Sequence, residues 1–301
     1  MSGVSMWKGA DGLRSGWALL LFLAVSYTVA IVLIGVVYLT DHSLLGDTAA
    51  VRGSIPPGMQ AVLSATLACG VLLATFLMSR IDGCSWLEYG LGSPRATIHF
   101  LEGVFWGIVL MSGVLGTLTI TDGMKLEVST TAPSLRIAAG LQWAAVFLLG
   151  AFVEEALYRG YPFFRLARAV RPALAALMMS MLFGLAHLPN RGETLVGILQ
   201  TVAFGLVCSL AVWRSNSLWW AIGMHASWNW TQSFLFGTAN SGRTVSGHWL
   251  VSVPQGPDWY SGGSAGPEGS LLVFPTLALM ACIIIRTLPF AAKAPWMRRP
   301  G

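Results

Sequence analysis

The sequence predicts an all-α, polytopic integral membrane protein. Apolar residues make up 55% of the 301 residues and charged residues only 10%, and the mean hydropathy is +0.67. These values lie well away from the balance of a soluble domain. Apolar runs also recur along the chain, and several reach the ~20 residues that a helix needs to cross a bilayer. We therefore predict about eight transmembrane helices.

The predicted spans follow one another between short polar connectors. In chain order they cover 17–39, 59–79, 100–120, 135–159, 172–188, 194–213, 218–236 and 270–285. The first is too long for the apolar part of a cleavable signal peptide, so we expect it to be retained. We divide the chain into helices one to three (1–134), a core of helices four to seven (135–236), and a C-terminal part (237–301). That last part begins with a Gly-, Ser- and Pro-rich loop, 237–269, predicted to hold no regular element.

The basic residues indicate an orientation instead of a nucleic-acid partner. The formal charge is +5, but the cations are scattered over short connectors. Thirteen fall on the side of the N-terminus: Lys8, Arg14, Arg80, Arg95, Arg159, Arg165, Arg168, Arg171, Arg214, Arg286, Lys293, Arg298 and Arg299. Four fall on the other side: Arg52, Lys125, Arg191 and Arg243. The positive-inside rule then predicts two cytoplasmic termini in a bacterial cytoplasmic membrane, with 237–269 outside.

Two adjacent carboxylates, Glu154 and Glu155, interrupt the fourth apolar run. An ionised carboxylate in hydrocarbon costs several kcal/mol, so such acids usually face a polar cavity or find a partner. On a helix Glu155 and Arg159 stand at i and i+4 with the acid N-terminal, which is the favourable order for an ion pair. Glu154 points about 100° away around the helix. We expect Glu155 to be neutralised by Arg159 and Glu154 to meet a group from another segment.

The other ionisable residues that can lie deep in the membrane are few. The remaining acids fall in predicted loops or at a span edge, and so do three of the five histidines: His42, His99 and His248. His187 and His225 remain, and Asn229 lies one turn after His225 on the same face. Carboxylates and imidazoles together supply a base for water and donors for an oxyanion. Taken singly, the Glu–Arg pair and each histidine also have a purely structural interpretation.

Three motifs occur in order on successive apolar segments. They are Glu154-Glu155-x-x-x-Arg159, Phe183-x-x-x-His187 and His225-x-x-x-Asn229. This combination resembles the CPBP family of intramembrane proteases, which includes CAAX prenyl-protein endoproteases, and the Gly-rich stretch 262–269 is similar to a segment of many bacterial members. The resemblance implies eight helices around a conical catalytic cavity open to the cytosol. It also implies a peptide or protein substrate at the membrane.

The resemblance implies roles for these residues. Glu154 with His187 activates water, while His225 and Asn229 stabilise the oxyanion. Zinc bound by Glu154, His187 and His225 is an alternative, although HExxH is absent and the four cysteines form no CxxC. We favour no metal cofactor, because no other deep acid can orient the histidine rings once Glu155 is held by Arg159. A non-enzymatic transporter or immunity protein is a further alternative, but no internal inverted repeat is visible.

The depth of the site residues poses a geometric problem. If one span ends at Arg159 and the next starts at Pro172, antiparallel helices place His187 about 22 Å above the inner face, at 1.5 Å per residue. Glu154 would lie near that face, so the two side chains could not meet. We therefore expect the fourth span to continue to about residue 164 despite Pro162, and the fifth to begin within the basic connector.

Overall fold

The computed structural model describes residues 8–9, 12–45, 56–190 and 192–291, and most of them are helical. Several basic positions used for the orientation lie outside the described residues: Arg52, Arg191, Lys293, Arg298 and Arg299. The described helices are α1 Ser15–Asp41, α2 Pro57–Ile81, α3 Ala96–Ile120, α4 Pro133–Arg159, α5 Tyr161–Ala169, α6 Pro172–His187, α7 Leu195–Ser215, α8 Trp219–Trp230, α9 Asp258–Ser261 and α10 Val273–Thr287. Four 3₁₀ turns lie at His42–Leu45, Trp86–Glu88, Gly263–Ala265 and Pro267–Gly269, and a π-helical turn at Thr231–Leu235 continues α8.

Within the described residues, five helical segments are long and apolar enough to cross a membrane. They are Ser15–Leu45, Pro57–Ile81, Ala96–Ile120, Pro133–Ala169 and Leu195–Ser215. Two further apolar helices, α6 and α10, are shorter. The polytopic helical class is therefore confirmed, whereas three of the eight predicted spans do not reach the length of a full crossing.

The fourth span runs past residue 164, as predicted, because Pro133–Ala169 forms one apolar segment long enough to cross a membrane, but this segment is broken into two helices. The fifth span does not begin within the basic connector, because α6 begins at Pro172. α4 ends at Arg159 and α5 begins at Tyr161. A Cβ on Gly160 would lie 2.3 Å from the carbonyl oxygen of Ala156, so only glycine allows the backbone to pass this closely. Pro162 falls in the first turn of α5, where its missing N–H leaves no bond unmade. α5 then buries its residues from Tyr161 to Ala167, so a separate helix supplies the extra length.

The prediction of an irregular segment 237–269 is also wrong. Strand β4, Leu250–Pro254, pairs antiparallel with β3, Met124–Val128, which lies in the connector between the third and fourth predicted spans. A two-residue pair, β1 Lys8–Gly9 with β2 Gly12–Leu13, precedes α1. α9 and two 3₁₀ turns complete the region after β4. These elements modify the all-α prediction without adding a β domain.

Side-chain contacts define two ends of the helix bundle. At one, which we call the arginine end, Arg165 pairs with Asp82 at 3.1 Å and donates to the carbonyl of Leu13. Arg214 there donates to the carbonyl of Leu288 at 2.6 Å.

The opposite end, which we call the loop end, joins the connectors before α4 and between α6 and α7 to segment 237–269. Three hydrogen bonds make this link together with the β3–β4 pair: Arg136 to the Trp249 carbonyl, Arg243 to Asn190, and Ser264 to the Gly192 carbonyl.

α3 and α8 pack closely through glycines. A Cβ on Gly103 of α3 would lie 2.2 Å from the carbonyl oxygen of Trp220, and one on Gly107 would lie 2.0 Å from the Ser227 hydroxyl. Both partners belong to α8, the helix that carries His225 and Asn229. The glycines on α3 therefore fix the position of α8.

We predict that Gly103→Ala destabilises the fold, because the added methyl meets backbone that cannot rotate away. Overpacking of this kind costs about 1–3 kcal/mol. The matched control is Gly113→Ala on the same helix, where a Cβ has nothing within 4 Å. Thermal unfolding of the purified variants in detergent checks this. Equal melting temperatures would contradict the close packing described here.

Candidate active site

A cavity of about 140 Å³ lies among α4, α6, α7 and α8, with segment 237–269 over its outer rim. Glu154, His187, His225 and Asn229 all line it. The structure thus brings together four predicted site residues from three helices. Glu155 and Arg159 do not line the cavity.

Glu155 lies behind the cavity wall and is fully buried. Its Oε1 atom is 3.1 Å from Nη1 of Arg159 and 2.9 Å from Nδ1 of His225. The predicted pair with Arg159 is present. The expectation that this pair leaves no acid to orient a histidine is wrong, because one carboxylate oxygen can accept from two donors. Glu155 therefore orients the ring of His225 and also neutralises the charge of Arg159.

Glu154 has a different environment from its neighbour. Its side chain is 40% exposed within the cavity, and Oε2 lies 3.6 Å from Nε2 of His225. The ring of His225 thus stands between the two carboxylates, with one nitrogen towards each. The helical spacing predicted that Glu155 pairs with Arg159 and that Glu154 meets a group from another segment, and both contacts are present, although Glu155 contacts His225 as well.

His187 has a defined tautomer. Its Nδ1 atom lies 2.8 Å from the carbonyl oxygen of Phe183. Because a carbonyl oxygen can only accept, the ring proton of the neutral form is on Nδ1. Nε2 is then the atom with a lone pair, available to accept a hydrogen bond.

Aromatic rings surround these groups. Phe183 packs against the rings of His187 and His225 at centroid distances of 4.7 and 6.1 Å, and Arg159 lies over its face at 4.3 Å. Phe204 packs against His225 at 5.0 Å. Phe183 could be found from its i, i+4 relation to His187, whereas nothing in the sequence pointed to Phe204.

Glu268 also lines the cavity, although the sequence predicted it to be a loop residue outside the site. It is 6% exposed and accepts hydrogen bonds from Trp228 Nε1 at 3.3 Å and from the backbone N–H and hydroxyl of Ser241 at 2.9 and 3.1 Å. It thereby joins segment 237–269 to α8 one residue before Asn229. Burial raises the pKa of nearby Glu193, and the charge of Glu268 acts in the same direction. The similarity of the Gly-rich stretch 262–269 to a segment of the CPBP family was the feature of the sequence that could have indicated Glu268.

His99 was predicted to lie in a loop, but it lies in α3 and is buried. It does not line the cavity. His99 is the fourth residue of α3, near the end of that helix, so no catalytic candidate was missed.

The residues proposed to hold zinc do not form a ligand set. No three His, Cys, Asp or Glu side chains within the described residues are placed to hold one ion together. Zinc sites take at least three protein ligands at about 2.0–2.3 Å. Glu154, His187 and His225 share the cavity without meeting this requirement, so we derive no step through a metal.

Comparison with known proteins adds one finding. Residues 136–231 match the sequence profile described as type II CAAX prenyl endopeptidase Rce1-like. No curated protein and no solved structure matches the chain. The matched segment includes all six residues predicted for the site. The match supports a CPBP/CAAX protease assignment for residues 136–231, and it supports a peptidase activity in an integral membrane protein.

Proposed function

We propose that this chain is an intramembrane endopeptidase in which Glu154 activates the attacking water. The observation that carries the proposal is the contrast between two adjacent carboxylates. Glu155 is fully buried and accepts from Arg159 and His225, whereas Glu154 is partly exposed in the cavity. A general base must reach the water that it deprotonates, and only Glu154 of the pair faces that space.

The first step is attack of water on the carbonyl carbon of the scissile peptide bond. Glu154 takes one proton from the water. Nε2 of His187, which carries a lone pair, accepts a hydrogen bond from the remaining O–H, which stays on the oxygen, and so orients the attacking oxygen. A C–O bond forms, and the electron pair of the carbonyl double bond moves to its oxygen. Collapse of this intermediate breaks the C–N bond, and Glu154 returns its proton to the leaving amine.

The oxyanion is stabilised from α8. The ring of His225 lies between two carboxylates, Glu155 at Nδ1 and Glu154 at Nε2, and nearby negative charge favours the protonated imidazolium. In that form Nδ1–H donates to Glu155 and Nε2–H is a donor on the cavity side. The side-chain amide of Asn229, one turn further along α8, supplies a second donor. Removal of one such donor typically costs on the order of 10²- to 10³-fold in rate.

The two glutamates predict different mutant behaviour. Glu154→Gln should abolish hydrolysis of a quenched, farnesylated CAAX reporter peptide while leaving the melting temperature near wild type, because the amide cannot act as a base. Glu155→Gln should also lower stability by about 3–5 kcal/mol, because Arg159 is left buried without its charge partner. Glu127→Gln, an exposed position on β3, is the matched control. Equal activity and equal melting temperatures in the two variants would contradict the assignment of different roles to Glu154 and Glu155.

Asn229→Ala should lower kcat by roughly 10²- to 10³-fold with little change in KM, because the donor acts on the charge of the intermediate. Steady-state kinetics with the same reporter peptide measures both constants. A rise in KM at constant kcat would instead place Asn229 in ground-state binding.

Chelation tests the alternative metalloprotease. We expect the purified enzyme to retain its activity in excess EDTA or phenanthroline, because the cavity offers no three-ligand set. About one zinc per chain by elemental analysis, with reversible loss of activity on chelation, would favour zinc over a glutamate-activated water.

A further inference from the structure

The cavity opens at the loop end of the bundle. Exposed Arg243 and Thr244 line it, together with Asn190 from the turn between α6 and α7. Along α4 its lining runs from Trp143 to Glu154, which is a depth of about 16 Å at 1.5 Å per residue. Glu154 therefore lies at the inner end of a path that starts at segment 237–269.

The arginine end of the same path is closed by buried side chains. Beyond Glu154, α4 continues through Glu155 and Arg159, both fully buried. α5 follows and buries Tyr161 and the residues up to Ala167. A molecule approaching Glu154 from this end would have to displace the buried ion pair.

Positive charge distinguishes the two ends. In the described part of the chain the arginine end and its connectors hold Arg14, Arg80, Arg95, Arg165, Arg168, Arg171, Arg214 and Arg286. The loop end holds Lys125, Arg136 and Arg243. By the positive-inside rule the arginine end is cytoplasmic.

We infer that the cavity is entered from the extracytoplasmic side, and that the substrate is a peptide segment presented at that face. This differs from the cytosolic opening that the family resemblance implied. That the bound peptide is a substrate rests on the proposed function. The direction of access rests only on the position of the cavity and on the distribution of positive charge.

The chemistry of the rim indicates the form of this peptide. Asn190, Asn240 and Thr244 place amide and hydroxyl groups around the opening. Such groups can pair with both the N–H and the C=O of a peptide that has no secondary structure of its own. A stretch of extended chain next to the membrane surface meets this description.

Cysteine labelling tests the direction of access without any turnover. The background lacks Cys69, Cys84 and Cys282 and keeps fully buried Cys208, whose own labelling is measured. Single cysteines are placed at Thr244 on the rim, at Gly150 inside the cavity, and at exposed Arg171 on the arginine end. Gly150→Cys fits, because a Cβ there has only the Ser64 hydroxyl, at 4.0 Å, within reach.

Spheroplasts are treated with a membrane-impermeant methanethiosulfonate reagent. We expect Thr244→Cys and Gly150→Cys to react from outside, and Arg171→Cys to react only after permeabilisation. The same pattern should hold in the inactive Glu154→Gln background, so a failure of the proposed hydrolysis and a failure of the access route are separate results.

Two outcomes would overturn the inference. Labelling of Arg171→Cys from outside, with Thr244→Cys protected, would mean that the arginine end is extracytoplasmic. In the second outcome, Thr244→Cys reacts from outside, but Gly150→Cys stays protected until the membrane is permeabilised or the protein is denatured. This result would mean that the cavity is not reached from this face. Labelling in denaturant confirms that each thiol is present.

Discussion

One buried oxygen atom, Oε1 of Glu155, determines the arrangement of the site. It lies 3.1 Å from the guanidinium of Arg159 and 2.9 Å from the imidazole of His225, so it ties two turns of α4 to the middle of α8. Both partners of the ion pair are fully buried, and loss of either one leaves an uncompensated charge in a medium of low dielectric. The position of His225 relative to Glu154 therefore depends on a contact that takes no part in the chemistry.

The buried arginine imposes a second requirement on its surroundings. The guanidinium lies over the ring of Phe183 on α6, and Phe183 in turn packs against both histidines. On α7, a Cβ at Gly205 would be 2.6 Å from Nη2 of Arg159, so this side of the charge is packed against bare backbone. The guanidinium of Arg159 on α4 thus contacts α6 and α7, and its ion-pair partner Glu155 contacts α8. The motif residues lie on helices that pack around this one charged group.

Local geometry explains which parts of the site could be predicted. The different environments of Glu154 and Glu155 follow from the 100° turn per residue of a helix, and the pairing of Glu155 with Arg159 follows from the i, i+4 spacing. The contact between Glu155 and His225 spans 70 residues of sequence and depends on how α8 packs, which no local pattern records. The burial of Glu268 also depends on tertiary packing, because its Gly- and Pro-rich neighbours predict an exposed turn. The break at Gly160 was missed because the apolar pattern continues through it, while the steric reason lies in the close passage of the backbone.

The ion pair also relates the catalytic geometry to the shape of the cavity. The groups that orient His225 are those that fill the space between Glu154 and the arginine end. An opening towards that end would separate Glu155 from Arg159, at a cost of about 3–5 kcal/mol for a broken buried pair. Such an opening would also release the ring that faces Glu154. A cavity with one closed end is therefore the arrangement in which the base, the imidazole and the buried charges keep their positions together.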